Sequence, residues 1–150
     1  MQGVLPRMKL TNEKAVVCGA GGFIGGHLVQ SLLNNGAEVV RAVDIKPLDE
    51  WYQVSNDVES LSLDLQDKDN CLKAAAGAEV IFQLAADMGG MGFIENNKAL
   101  CMLSVLTNTH MLMAAREKGV ERFFYSSSAC VYNAAKQTNP DVVALKETDA

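Results

Sequence analysis

Apolar positions along the chain come in two rhythms. Short unbroken runs lie at Lys14 to Gly19 (KAVVCG), Glu38 to Asp44 (EVVRAVD), Glu79 to Ala85 (EVIFQLA) and Glu121 to Ser126 (ERFFYS). Their length and composition predict parallel strands buried on both faces, and Glu59 to Asp64 adds a weaker one. Between these runs apolar residues recur at helical spacing. Phe23, Ile24, Leu28, Val29, Leu32 and Leu33 mark a helix over Gly22 to Asn35, stopped by Asn34, Asn35 and Gly36. A second helix is predicted over Gln66 to Ala76, with Gly77 as its stop, and a long third from about Asn96 to Lys118, ended by Gly119. Leu48 to Asp57 reads as a polar loop holding one aromatic pair, Trp51 and Tyr52, either exposed or anchoring. Asp87 to Gly92 is a glycine-methionine loop.

Strands alternating with helices predict the α/β class, a doubly wound parallel sheet with helices on both faces. The expected strand order is 3-2-1-4-5, with the switch point between strands one and four. Ligands in such sheets sit beyond the carboxyl ends of the strands, so the loops after Cys18, Val43, Leu63, Leu84 and Tyr125 should face one crevice. Residues 13–150 then form one domain, preceded by a polar lead-in over residues 1–12 that lacks the apolar core of a signal peptide.

Composition narrows the function classes. The net charge of the 150 residues is -5 and no basic patch dominates, which argues against nucleic acid or an anionic membrane as a partner. The longest apolar stretches are too short to span a bilayer. Cys18, Cys71, Cys101 and Cys130 are scattered without a CxxC pair, so neither a metal site nor a disulfide framework is expected, and a reduced, cytoplasmic setting fits best. Cys18, Cys71 and Cys101 read as packing residues, as do Met102, Met111 and Met113, and nothing marks His27 or His110 as a base or ligand.

The candidate chemistry lies in the first turn. Gly19, Gly22 and Gly25 form GxxGxxG, with Gly21 and Gly26 adding room, after a strand and at the opening of a helix. In that context Gly19 permits the tight turn, Gly22 lets the backbone approach a pyrophosphate, and Gly25 lets the helix pack close to the sheet. Free N–H groups and the helix dipole favour the phosphate charge. A nucleoside-triphosphatase loop is excluded because no GK[ST] follows. Asp44 ends the second strand about 20 residues beyond Gly25, where a carboxylate suits the two ribose hydroxyls of the adenosine half and repels the extra phosphate of NADP. Arg41 points elsewhere on a period-two strand, though Lys46 lies near. Asp64 and Leu65 either contact the adenine edge or, in the case of Asp64, cap the following helix.

These residues, together with the QLAAD stretch from Gln83 to Asp87 and YSSSACVY from Tyr125 to Tyr132, resemble the extended short-chain dehydrogenase/reductase family of NAD-dependent epimerases and dehydratases. QLAADMGGMGFI, RFFY and SSSACVY are narrower and resemble its GDP-mannose 3,5-epimerase branch. The resemblance runs from about Lys14 to Ala150. It implies NAD as a recycled cofactor that transiently oxidises carbon 4 of a nucleotide sugar, GDP-mannose in that branch, while protons exchange at carbons 3 and 5. By matching position it implies Gly19, Gly22, Phe23, Ile24, Gly25, Asp44, Asp64, Leu65, Leu84, Ala85 and Ala86 around the cofactor. It also implies catalytic Ser128 on the carbon-4 oxygen, catalytic Cys130 as acid/base, and Gly89, Ser128, Ala129 and Cys130 against the substrate, with Ser127 on the same wall. It further implies a homodimer in the full-length parent, paired through two long helices.

The chain departs from that pattern in two respects. Family catalysis uses a tyrosine and a lysine four residues on. Tyr132 and Lys136 match by letter (YNAAK), but the true pair should follow the ALKETDA stretch, so the match reads as coincidence. Asn133 to Thr138 also differs from the proline-acidic run expected after VY. The expectation is a domain truncated before the substrate-binding portion, inactive alone, with an apolar edge at its fifth strand. Two other readings remain open at this point: another nucleotide-sugar 4-epimerase or dehydratase of the family, and a non-catalytic NAD-binding module.

Overall fold

In a computed structural model, which describes residues 13–87, 96–127, 146 and 148, the chain forms five short strands. These are β1 (Lys14–Cys18), β2 (Glu38–Asp44), β3 (Glu59–Ser62), β4 (Val80–Gln83) and β5 (Arg122–Tyr125). They alternate with α1 (Phe23–Asn34), α2 (Lys68–Ala75) and α3 (Lys98–Lys118), and one 3₁₀ turn lies at Leu48–Glu50. Every pairing is parallel and the order is β3-β2-β1-β4-β5, as the alternation predicts. β1 is the spine. Its alternate side chains go to opposite faces: Val16 and Cys18 join Val43, Cys71, Ile81 and Met111 beneath α2 and α3, while Ala15 and Val17 join Val29, Leu32, Ala42 and Phe82 beneath α1. A strand covered on both sides has no solvent face, which is why its sequence shows no polar alternation.

Four of the strands stop one or two residues short of their predicted carboxyl ends, whereas β2 ends at Asp44 as predicted. Gly19, Leu63, Asp64, Leu84 and Ala85 leave the sheet at one edge and form the rim of a crevice instead of continuing the ladder. α2 also starts later than predicted. Asp67, not Asp64, is its N-cap, accepting from the N–H groups of Asp69 (2.7 Å) and Asn70 (3.2 Å). Asp64 instead closes the preceding turn by accepting from the Gln66 N–H at 2.9 Å. The far end of α2 is held by Arg41, whose Nη1 donates to the carbonyls of Ala74 (3.1 Å) and Ala76 while Nε donates to Glu59 Oε2 at 2.9 Å. α3 ends at Gly119 in the left-handed region (φ 70), where the Val120 N–H reaches back to the Ala115 carbonyl at 2.9 Å.

Three expectations about packing are corrected. Phe23 and Ile24 do not belong to the buried face of α1. They are 61% and 70% exposed, and Gly25, Gly26, Val29 and Leu32 make that face instead. The helix enters the sheet on its two glycines, which leaves no room for large side chains in the first turn except on the outside. Met111 is fully buried, but Met102 and Met113 are exposed. At about 100° per residue they lie roughly 180° and 200° around α3 from Met111, opposite its contact stripe of Thr107, Met111, Ala114 and Ala115. Cys18 and Cys71 are core residues, whereas Cys101 is only half-buried.

Candidate cofactor site

The glycine loop is held to the end of β2 by its own backbone. The N–H groups of Gly19 and Ala20 both donate to the Val43 carbonyl, at 2.7 and 3.0 Å. Gly19 has φ +81, and a Cβ there would stand 2.9 Å from the Ala85 nitrogen, so the turn after β1 lies directly against the exit of β4. A Cβ on Gly25 would fall 2.0 Å from the Gly19 carbonyl oxygen, so only glycine lets α1 start this close to the strand. Gly22 is the N-cap of α1. No side chain caps that end, and the first turn carries no acidic residue. Its leading N–H groups have no helical acceptor, which leaves the positive end of the helix dipole uncompensated beside Gly22, itself a lining residue of the crevice.

The crevice lies across the carboxyl ends of the strands and encloses about 370 Å³. Gly19 and Gly22 line one side, Asp44, Asp64 and Leu65 the second, and Leu84, Ala85 and Ala86 the third. The fold thus brings eight of the residues singled out in the sequence to one cavity. Phe23, Ile24 and Gly25 do not line it. Gly25 acts beneath the loop, and Phe23 instead packs edge-on against His27 and Tyr52, with ring centroids 4.7 and 5.0 Å apart. Gly89, Ser128, Ala129 and Cys130, with Tyr132 and Lys136, lie outside the described residues.

Asp44 is buried, and both its oxygens are fixed by backbone. Oδ2 accepts from the Gly21 N–H at 3.0 Å and Oδ1 from the Lys46 N–H at 3.1 Å. Each oxygen keeps a lone pair for a further donor, such as a sugar hydroxyl. Arg41 is engaged with Glu59 and the end of α2, so it is turned from the crevice, whereas Lys46 lines it. On the opposite wall Gln83 is buried and donates from Nε2 to Ala85 O (3.1 Å) and Asn108 Oδ1 (2.9 Å), tying the exit of β4 to α3. The Asp87 N–H then donates to Ser104 Oγ at 3.0 Å.

Sequence reasoning missed Ser104 and Thr107, which reach the crevice from α3. Two small polar residues three apart on the helix leaving strand four were the available signal. Of the aromatic pair left as exposed or anchoring, Trp51 anchors, its indole buried against the glycine loop, while Tyr52 is exposed.

Neither described core thiol can serve as a base. Burial, with Cys71 and Asp44 adding to it, pushes the Cys18 thiol far up. Burial, then Asp67 and Asp64, pushes Cys71 up to about 12, and its thiol donates to the Leu65 carbonyl at 3.1 Å. Both stay neutral at physiological pH. His110 pairs with the Gln66 carbonyl at 2.9 Å, and neither it nor His27 lines the crevice. Among the described residues no three His, Cys, Asp or Glu side chains gather as metal ligands, and no helix is long and apolar enough to cross a membrane.

A five-stranded parallel sheet of this order, with a glycine-built first turn and a fixed acid at the end of its second strand, defines a Rossmann-like α/β domain. The chain belongs to the NAD dependent epimerase/dehydratase family, whose model matches residues 15–149. It is 42% identical over 140 residues to GDP-mannose 3,5-epimerase of Arabidopsis thaliana, covering 93% of this chain and 37% of that protein. It is 44% identical over 135 residues to GDP-mannose 3,5-epimerase 1 of Oryza sativa subsp. japonica, covering 89% and 35%. The chain thus spans little more than a third of the length of these relatives. Among solved structures, the UDP-glucose 4-epimerase of Thermus thermophilus in complex with NAD superposes with a TM-score of 0.73 at 25% identity, covering 91% of this chain and 43% of that one.

Proposed function

We propose that this chain is the NAD-binding part of a nucleotide-sugar epimerase acting on GDP-mannose at carbons 3 and 5. The observation that carries the reading is the pinned Asp44 at the rim of a crevice whose opposite rim is the uncapped start of α1. The residues present fit the dinucleotide. The first-turn N–H groups of α1 receive the pyrophosphate, Asp44 accepts from the adenosine ribose hydroxyls, and Leu65 and Asp64 flank the adenine. Leu84, Ala85 and Ala86 lead toward the nicotinamide half. When bound, NAD supplies reversible oxidation at carbon 4 of the sugar. By resemblance, Ser128 holds the carbon-4 oxygen, Cys130 moves the protons, and Gly89 and Ala129 line the sugar. The relatives at 42% and 44% identity favour GDP-mannose over the substrates of other family members. The same resemblance makes the homodimer part of the reading, and the free thiols of Cys18, Cys71 and Cys101 accord with a cytoplasmic setting.

Two measurements test this. Calorimetric titration of the chain should show NAD binding and markedly weaker NADP binding. A protein joining this chain to a segment bearing the family Tyr-x-x-x-Lys, incubated with GDP-mannose in heavy water, should take up deuterium at carbons 3 and 5. No NAD binding would sink the cofactor assignment. Exchange at neither carbon would leave a plain 4-epimerase as the better reading, and exchange with loss of water a dehydratase.

A further inference from the structure

We propose that Trp51 is a positioning residue of the cofactor site, clamping Gly21 onto Asp44 and so setting the preference for a dinucleotide with a free 2′-hydroxyl over one with a 2′-phosphate. The proposal rests on the reading above, in which Asp44 receives the adenosine ribose. Its own basis is a closed circuit of hydrogen bonds. The Gly21 N–H donates to Asp44 Oδ2 at 3.0 Å, and the Gly21 carbonyl accepts from the Tyr52 N–H at 2.9 Å. Next to Tyr52, the Trp51 indole Nε1–H donates to the Lys46 carbonyl at 2.9 Å. The Lys46 N–H returns to Asp44 Oδ1 at 3.1 Å. The segment after β2 therefore folds back over the glycine loop and is fastened at both ends to the same carboxylate.

Packing shows that the fit is tight. A Cβ on Gly21 would lie 2.8 Å from the indole Cδ1 on one side and 3.0 Å from Asp44 Cγ on the other. Ring and carboxylate thus both close on the space where a Gly21 side chain would stand. Trp51 is buried with Ala20 and Val17, so the ring itself is anchored in the core beneath α1. A Cβ on Gly26 would meet Gln53 Cγ at 2.6 Å, which extends the close fit by one helical turn. The two glycines that GxxGxxG does not use are thus occupied by this strap rather than by a ligand.

The consequence is electrostatic. A carboxylate with both oxygens pinned cannot swing away from a 2′-phosphate or relax into water, so its repulsion is undiminished. Its free lone pairs stay aimed for hydroxyl donors. Releasing the strap lets Asp44 rotate, which costs some NAD affinity and relieves the penalty on NADP.

The test compares wild type with Trp51→Phe, which keeps an aromatic ring in the core and removes the donor to Lys46 along with part of the ring. Each is titrated calorimetrically with NAD and with NADP. Because Trp51 is the sole tryptophan, wild-type binding should also change the protein's intrinsic emission. The expected result is a melting temperature lowered by a few degrees at most and a NAD-to-NADP affinity ratio lowered about tenfold, the upper scale of one neutral hydrogen bond. Amide exchange at Gly21 should quicken in the variant without any ligand. If Trp51→Phe does not fold, Gly21→Ala, whose methyl group would push indole and carboxylate apart, should lower the same ratio together with the melting temperature. An equal loss for both dinucleotides, or an unchanged ratio, would mean that Trp51 only fills the core and would overturn the proposal. Failure of the wild-type chain to bind either dinucleotide is a separate outcome: it removes the cofactor reading, and this inference with it.

Discussion

α1 and α3 cover opposite faces of one sheet and bury four residues each, yet they are fastened by different means. α1 buries Gly25, Gly26, Val29 and Leu32 out of 12 residues, and at Gly25 its backbone lies directly on the Gly19 carbonyl. α3, at 21 residues, buries only Thr107, Met111, Ala114 and Ala115 and stands on one large side chain. Leu100, Met102, Val105, Leu106, Leu112 and Met113 stay on its exposed surface. The first contact is a fit between main chains and admits no variation in the residue. The second is ordinary side-chain packing, graded by volume. The function proposed here depends on the first kind, because a phosphate-receiving turn needs its N–H groups at a fixed height above the sheet.

The sharpest way to break this comparison is Gly25→Ala. One methyl group forced against a carbonyl oxygen should cost about 3 kcal/mol or more and abolish NAD binding, read by urea denaturation and calorimetry. A well-folded, NAD-binding Gly25→Ala protein would show that α1 can back away and that the close fit is dispensable. Next in size is Met111→Ala, expected to cost about 3 kcal/mol through the cavity it leaves. Met102→Ala and Met113→Ala should each stay within about 0.5 kcal/mol. Equal losses at all three would mean that the outer face of α3 is buried in solution. One further effect appears only in alkali. Cys71 is pushed up to about 12 from an ordinary 9.0, so the folded chain holds this proton more tightly than the unfolded chain does. That stabilisation is complete below about 9 and fades as the pH rises toward the folded value. The melting temperature should therefore fall above pH 9 and fall less in Cys71→Ala, as followed by circular dichroism.

Much of this was legible in the chain because strand and helix rhythms are local. KAVVCG followed by GAGGFIGG states a buried strand, a turn and a helix start within a few residues, and the order of the five strands follows from handedness once the alternation is seen. Eight cofactor candidates duly meet in one crevice. What was hidden depends on partners distant in sequence. Phe23 and Ile24 look like core by spacing, and only the contact between Gly25 and Gly19 reveals that they must face outward. Met102 and Met113 fit a long apolar helix equally well on any side, since α3 has little amphipathic contrast to say which face is inward. Trp51 sits in a segment that looks polar and open, and its burial follows from the space left by Gly21, some thirty residues earlier.

The Val43 carbonyl accepts from both Gly19 and Ala20, and the residue after it is Asp44. The phosphate turn and the ribose acid are therefore measured from a single datum on β2. A slip of that strand would carry both receptors along together and preserve the distance between them. The turn at Asn35–Ala37 can thus lengthen or shorten over generations without retuning the site, whereas one residue inserted between Val43 and Asp44 would separate the two halves of the ruler.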